Sequence, residues 1–171
     1  MYRNFICYRG GSSGGIQFAE ELFFFLNSEK SLLGETYYSL EKTDYRETRN
    51  FLTDPQRVLG NVDNFIMLLT RDFFDGFLED GMPNPNSVTR IEIDEVLKNR
   101  SAKFIPVVFP DFSWEEKRAG LKNRDVVTSL WDEDSALRVV GAPPIPFVMQ
   151  YKQQVMELVR AELSHTTNKK K

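Results

Sequence analysis

The chain predicts an α/β fold, a doubly wound sheet of four to five parallel strands flanked by helices. Three observations carry this expectation. Two short runs, Phe65-Ile66-Met67-Leu68-Leu69 and Phe104-Ile105-Pro106-Val107-Val108-Phe109, are almost continuously apolar, as strands covered on both faces of a parallel sheet are. Segments with helical spacing lie between the strand-like runs, and this alternation is the pattern of wound α/β sheets. The length, 171 residues with 41% hydrophobic and 27% charged, suits one domain able to bury a core.

The first strand, Asn4 to Tyr8, is read from Phe5-Ile6-Cys7-Tyr8 and passes through Arg9 into Gly10-Gly11-Ser12-Ser13-Gly14-Gly15. A helix from about Ile16 to Asn27 follows, with Phe18, Leu22, Phe25 and Leu26 on one face. Phe23 and Phe24 lie outside that stripe and are either a widened core face or an association surface. Glu35 to Leu40, led in by Gly34, reads as the second strand. Glu41 to Asn50 is charged and aperiodic, hence a loop, and Phe51 to Val58 is a helix interrupted near Pro55. The third strand is Asn64 to Thr70. A turn or short helix holds Phe73, Phe74, Phe77 and Leu78, and Asp80 to Asn86 is a loop. Ser87 caps a helix from about Val88 to Asn99. Phe104 to Phe109 is the fourth strand, closed by Pro110. Trp114 to Leu121 reads as a short helix, Leu137 to Val140 as a weak fifth strand, Pro143-Pro144-Ile145-Pro146 as a stop, and Phe147 to Leu163 as an amphipathic helix. One domain over 1–165 is expected, with a disordered polar and basic tail at 166–171.

Composition narrows the chemistry. The 22 basic and 25 acidic residues leave a formal charge of −3, so no nucleic-acid partner is expected. No apolar run approaches the roughly 20 residues of a membrane helix, and the first residues lack a signal-peptide layout, so no membrane role is expected. Cys7 is the single cysteine, which excludes an intrachain disulfide and a cysteine-rich zinc site. His165 is the single histidine, which leaves a Ser-His-Asp or Cys-His mechanism without a base and rules out a two-histidine metal site. No metal ligands are therefore assigned. The lone thiol fits a reducing cytoplasm. Cys7, in a buried strand, is read as a small core residue. Trp114 and Trp131 are read as packing residues, and Arg46, Glu47 and Arg49 as a solvated loop.

In a doubly wound sheet, ligands bind beyond the carboxyl ends of the strands, where the strand order reverses. The stretches to weigh are Tyr8 to Gly15, Leu40 to Asp44, Thr70 to Phe74 and Phe109 to Trp114. The glycine-rich loop, the next helix's amino end and Arg9 can hold a phosphate or pyrophosphate; equally, the loop can be a flexible turn. It is not G-x-G-x-x-G, because Ser12 stands at the second glycine position, and no Gly-Lys-Ser/Thr follows as in a Walker A loop. Glu92 is the other candidate. At about 100° per residue from Val88, Glu92 falls at about 40°, Val96 at about 80°, Ile93 at about 140° and Leu97 at about 180°. Asp94 and Glu95 fall outside this apolar arc. A carboxylate on the apolar side of a helix either finds a buried partner or lines a cleft.

Together these segments resemble a family. Phe5-Ile6-Cys7-Tyr8-Arg9 is similar to the F-I-S-Y-R opening of Toll/interleukin-1 receptor (TIR) domains. Ser13-Gly14-Gly15 and Phe18-Ala19-Glu20-Glu21-Leu22 resemble the turn and first helix of bacterial members. Asp63 to Phe74, DNFIMLLTRDFF, is similar to the third strand and its Ser-x-x-Tyr/Phe close, with Thr70 where Ser is usual. Thr89-Arg90-Ile91-Glu92-Ile93, Val96-Leu97 and Ile105-Pro106-Val107 resemble the W-x-x-x-E-I helix and the strand ending in I-P-V. The resemblance covers about residues 1–165. It implies the flavodoxin-like TIR fold and, in enzymatic members, cleavage of NAD at the nicotinamide–ribose bond by a glutamate on this helix. The products are nicotinamide plus ADP-ribose, a cyclic ADP-ribose form or an ADP-ribose conjugate. Bacterial standalone members act in antiphage defence, where the product activates a separate effector, and many assemble as homo-oligomers through TIR–TIR contacts.

By motif alignment the catalytic glutamate is Glu92. The substrate contacts are Tyr8, Arg9, Gly10, Gly11, Ser12, Leu40, Thr70, Phe74 and Val88. NAD is then a substrate, and no cofactor is implied. The sequence departs from the family at Cys7, which replaces Ser, and at Val88, which replaces the aromatic, so that Phe73, Phe74 or Trp114 would have to supply stacking. Its loop after the second strand is long and charged. Two other readings stand beside this one: a non-catalytic TIR adaptor, and a nucleoside deoxyribosyltransferase-like enzyme that also sets carboxylates against a ribose.

Overall fold

Periods of two and of 3.6 residues are both realised in a computed structural model that describes residues 2–9, 13–38, 58–73, 78–79, 82–83, 87–98, 102–113 and 142–169. Its strands are β1 (Tyr2–Cys7), β2 (Glu35–Tyr37), β3 (Asn64–Leu69), β4 (Leu78–Glu79), β5 (Met82–Pro83), β6 (Lys103–Val108) and β7 (Ile145–Pro146). Five of them form one parallel sheet in the order β2-β1-β3-β6-β7, while β4 and β5 make a separate antiparallel pair. The helices are α1 (Ser13–Asn27), α2 (Lys30–Leu33), α3 (Val88–Leu97) and α4 (Lys152–Lys169). Counted within the main sheet, this is the 2-1-3-4-5 order of flavodoxin-like folds.

Strand register sorts the core by residue type. Phe5, Phe65 and Phe104 align across β1, β3 and β6, and so do Ile6, Ile66 and Ile105. Because successive side chains alternate, the phenylalanines line one face and the isoleucines the other. The phenylalanine rings pack at 5.6 Å and 5.4 Å between centroids, and Ile93 and Val96 of α3 cover them. Phe18, Leu22 and Leu26 of α1 and Val155, Val159 and Leu163 of α4 cover the isoleucine face. Each such fully buried side chain contributes about 1.5–3 kcal/mol. Cys7 is a buried thiol within the phenylalanine-side core.

Several elements differ from the sequence expectation. The Pro143–Pro146 run is not only a stop: Ile145 and Pro146 pair with Val107 and Val108 as the sheet's last strand. The Phe147 amide still donates to the Val108 carbonyl at 2.8 Å, so the Pro146 nitrogen faces away from β6, where its missing N–H costs no ladder bond. The final helix begins at Lys152, after a 3₁₀ turn at Met149–Tyr151, rather than at Phe147. It runs to Lys169, so 166–169 is helical rather than disordered; no glycine or proline interrupts it, and propagation adds one bond per residue. At its amino end α1 starts three residues early and takes in Gly14 and Gly15. Leu78 and, within the expected 80–86 loop, Met82 and Pro83 belong to the β4–β5 pair. In the described part β2 ends at Tyr37. Phe23 is half-buried against Tyr38, whereas Phe24 is 62% exposed, so the two neighbours divide between core edge and surface.

The loop Glu41 to Asn50 with Arg46, Glu47 and Arg49, the helix expected from Phe51 up to residue 57, Phe77, the helix Trp114 to Leu121, Trp131 and the strand Leu137 to Val140 lie outside the described residues. Residues 58–59 are helical, where the expected Phe51 to Val58 helix ends.

Candidate functional site

Strand order reverses between β1 and β3, so the crevice for a ligand lies beyond their carboxyl ends. Tyr8 and Arg9 follow β1 there, and Thr70 to Phe73 follow β3. The chain turns at once after β3, with the Phe73 amide donating to the Thr70 carbonyl at 3.0 Å. Thr70 Oγ1 donates to Asp72 Oδ1 at 2.7 Å, and Asp72 Oδ2 stands 3.7 Å from Arg9 Nε. The Arg9 and Asp72 side chains are each about a third exposed, at 31% and 34%.

The third wall is α3. Ser87 caps it, accepting a hydrogen bond from the Arg90 amide at 3.4 Å. Thr89 Oγ1 donates to the Tyr8 carbonyl at 3.5 Å and so seats the helix's first turn on the end of β1. Glu92 follows one turn after Val88, and both are buried, Glu92 at 0% exposure. The Tyr8 phenol is pushed well above its ordinary value, first by burial and next by the negative charge of Glu92. Glu92 and Tyr8 are therefore electrostatic neighbours, although they come from different elements. Thr89, within the apolar arc, is buried too, and so is Ile91 outside it at about 300°, so α3 is enclosed over more than the apolar arc its sequence suggests. Glu95 is only partly buried and pairs with Lys98 at 2.8 Å.

The structure thus brings Tyr8, Arg9 and Thr70 to one end of the sheet and joins Tyr8 to α3, which carries Val88 and Glu92. Gly10, Gly11, Ser12, Leu40, Phe74 and Trp114 lie outside the described residues. A side chain at Gly14 would meet Phe109 only at 4.0 Å, so crowding does not require glycine there. The positive-φ glycine among the described residues is Gly34, with φ of 83°, whose added Cβ would collide with the Arg3 side chain at the opposite end of the sheet. Sequence reasoning did not single out Asp72 or Thr89. Thr89 sits at about 100° on the same wheel that marks Glu92. Asp72 carries a local signal as well, a Thr-x-Asp step directly after an apolar strand.

A cavity of about 460 Å³ lies along β2 and α1, walled by Tyr2, Phe23, Phe24, Tyr37 and Tyr38 with Glu20, Asn27, Lys30, Glu35 and Thr36. Its described lining shares no residue with the site above. Tyr38 is the nearest link, its ring centroid 6.3 Å from that of Tyr8. Burial, and then the charge of Glu20, raise the Tyr38 phenol. Among the described residues, no group of three or more His, Cys, Asp or Glu side chains is placed to hold a metal ion, and no helix is long and apolar enough to cross a membrane. No protein-family model matches the chain, and no curated protein matches it.

Proposed function

We propose that the chain is an NAD-cleaving enzyme of the TIR type, with Glu92 as its catalytic residue. The observation that carries this reading is an acidic side chain enclosed on α3, acting electrostatically on Tyr8 at the end of the sheet where the strand order reverses. Cleavage breaks the N-glycosidic bond of NAD. Its electron pair passes to the nicotinamide nitrogen, which leaves neutral, and positive charge develops on the ribose. A carboxylate beside the ribose stabilises that charge and holds the sugar hydroxyls, and little acid catalysis is required of a chain with one histidine. Water, or a nucleophile of the substrate or of an acceptor, then closes the ribose carbon and releases its proton to solvent. Arg9 supplies a cation for the diphosphate.

In this reading the protein is cytoplasmic, works as a homo-oligomer through contacts between its own domains, and makes an immune signal for a separate effector in antiviral defence. The test is incubation of the purified chain with NAD across a range of protein concentrations, with chromatography of nicotinamide. Nicotinamide release whose specific rate rises with concentration is expected. Its absence at every concentration sinks the enzyme. A second reading has its own support: Glu92 at 0% exposure is also what a structural carboxylate looks like, and a non-catalytic TIR adaptor needs nothing else from it.

A further inference from the structure

Among the described residues, two arginine–aspartate pairs link β1 to the β3 region, one at each end of the sheet, and they differ in construction. At the amino end, Arg3 Nε meets Asp63 Oδ2 at 2.8 Å, and the aspartate is only 11% exposed. That is the length of a charge-assisted hydrogen bond. At the carboxyl end, Arg9 Nε and Asp72 Oδ2 stand 3.7 Å apart, and both side chains are about a third exposed. A pair of that length in contact with water is weakly held. Its aspartate, however, is fixed from behind: the buried Thr70 donates to Oδ1 at 2.7 Å, which leaves Oδ2 facing the guanidinium.

We propose that Asp72 is a counter-ion latch on Arg9, holding the place on the guanidinium that a phosphate oxygen takes when a diphosphate-bearing ligand binds beyond the carboxyl ends of β1 and β3. This rests on the reading of Arg9 as the diphosphate contact. Binding then exchanges one oxygen anion for another: the cation is never left without a counter-charge, and a ligand must out-compete a carboxylate already in position. A diphosphate does so because it presents several oxygens to the planar fork, where the latch presents one at long range. A neutral or singly charged ligand gains little from the exchange, so Asp72 acts as a positioning residue that selects for anionic charge at this end of the sheet.

The experiment is calorimetric binding of inorganic pyrophosphate to the full chain and to Asp72→Asn, Arg9→Gln and the double variant, with circular dichroism to verify folding. Asp72→Asn keeps the side chain's shape and an acceptor for Thr70 while removing the charge. It should tighten pyrophosphate binding by roughly two- to five-fold, the range a weak exposed ion pair allows. Asp72→Ser should change it in the same direction. Arg9→Gln should weaken binding, and in that background Asp72→Asn should give a much smaller gain.

Unchanged or weaker binding by both Asp72 variants overturns the latch. So does an equal gain with and without Arg9, or a folded chain that binds no pyrophosphate. Nicotinamide release is scored separately. Coupled pyrophosphate binding without NAD cleavage supports the latch and removes the enzyme reading. NAD cleavage by a chain whose pyrophosphate affinity ignores Asp72 does the opposite.

Discussion

At the amino ends of β1 and β3, the buried Asn4 carboxamide donates to the Leu33 carbonyl at 3.1 Å and to Thr36 Oγ1 at 3.3 Å, and it accepts from Asn64 Nδ2 at 2.8 Å. At the carboxyl ends of the same strands stand an enclosed carboxylate, a phenol that it perturbs, and a cation on a long, wet ion pair. Neutral amides knit β1, β2 and β3 together at the first end without the desolvation cost of a charge. They also define alignment: a slip of one residue would turn the phenylalanine and isoleucine rows to the wrong faces and separate Asn4 from Asn64. The charges at the first end, Arg3 and Asp63, neutralise each other in a close pair, whereas at the other end Glu92 is enclosed and Arg9 is held only at long range, where a ligand can repay the desolvation. Equal burial of Asn4 and Glu92 thus has different meanings, decided by which end of the sheet each occupies.

The comparison is most exposed to a substitution at its structural end. Asn4→Ala leaves several buried polar groups without their partner and should cost about 4 kcal/mol of stability by urea denaturation, taking roughly 1–3 kcal/mol for each group. Any activity should fall only in step with unfolding. A loss under about 1 kcal/mol would mean that the amide network does not hold the register.

Glu92→Gln should do the reverse. Nicotinamide release should drop by at least roughly 100-fold, about 2.7 kcal/mol of barrier, while the melting temperature holds or rises because an amide is cheaper to bury than a carboxylate. Glu95→Gln, which removes the charge that pairs with Lys98, serves as the control and should stay within about 0.5 kcal/mol in stability. If Glu92→Gln melts early and its folded fraction turns over normally, both ends of the sheet are structural and the comparison collapses.

The smallest effect is read by pH. The folded Tyr8 phenol lies above its ordinary value, so the folded chain keeps a proton that the unfolded chain releases. Stability is intact below about pH 10 and falls above it by about 1.4 kcal/mol per unit for each such group. Tyr8→Phe should flatten part of that decline in denaturation curves at pH 8 and pH 11; Tyr38, also raised, accounts for a further part. A slope unaltered by the substitution would show that Tyr8 is not the enclosed neighbour of Glu92.

What could be read from the chain beforehand follows from how local each signal is. Phe65 to Leu69 and Phe104 to Phe109 announce buried strands by themselves, and a wheel drawn through Val88 and Val96 finds Glu92 on the enclosed side. Ile145–Pro146 could not be read as a strand: two residues amid prolines carry no period, and only the neighbouring Val107 and Val108 make them one. The approach of Asp72 to Arg9 is equally non-local, because it exists only through the pairing of β1 with β3. The glycines show the same contrast between local and non-local signals. Composition draws attention to Gly10 through Gly15, yet the described position that excludes a side chain is the isolated Gly34, fixed by Arg3 from another strand.

Pro146 also bears on how copies of this chain can meet. In β7 the backbone nitrogen that points outward belongs to a proline, so the margin of the sheet at that side offers an incoming strand no donor at that position. A strand added at that position forgoes one ladder bond as a matter of covalent chemistry, independent of concentration, salt or ligand. Extension of the sheet at β2, which contains no proline, carries no such loss.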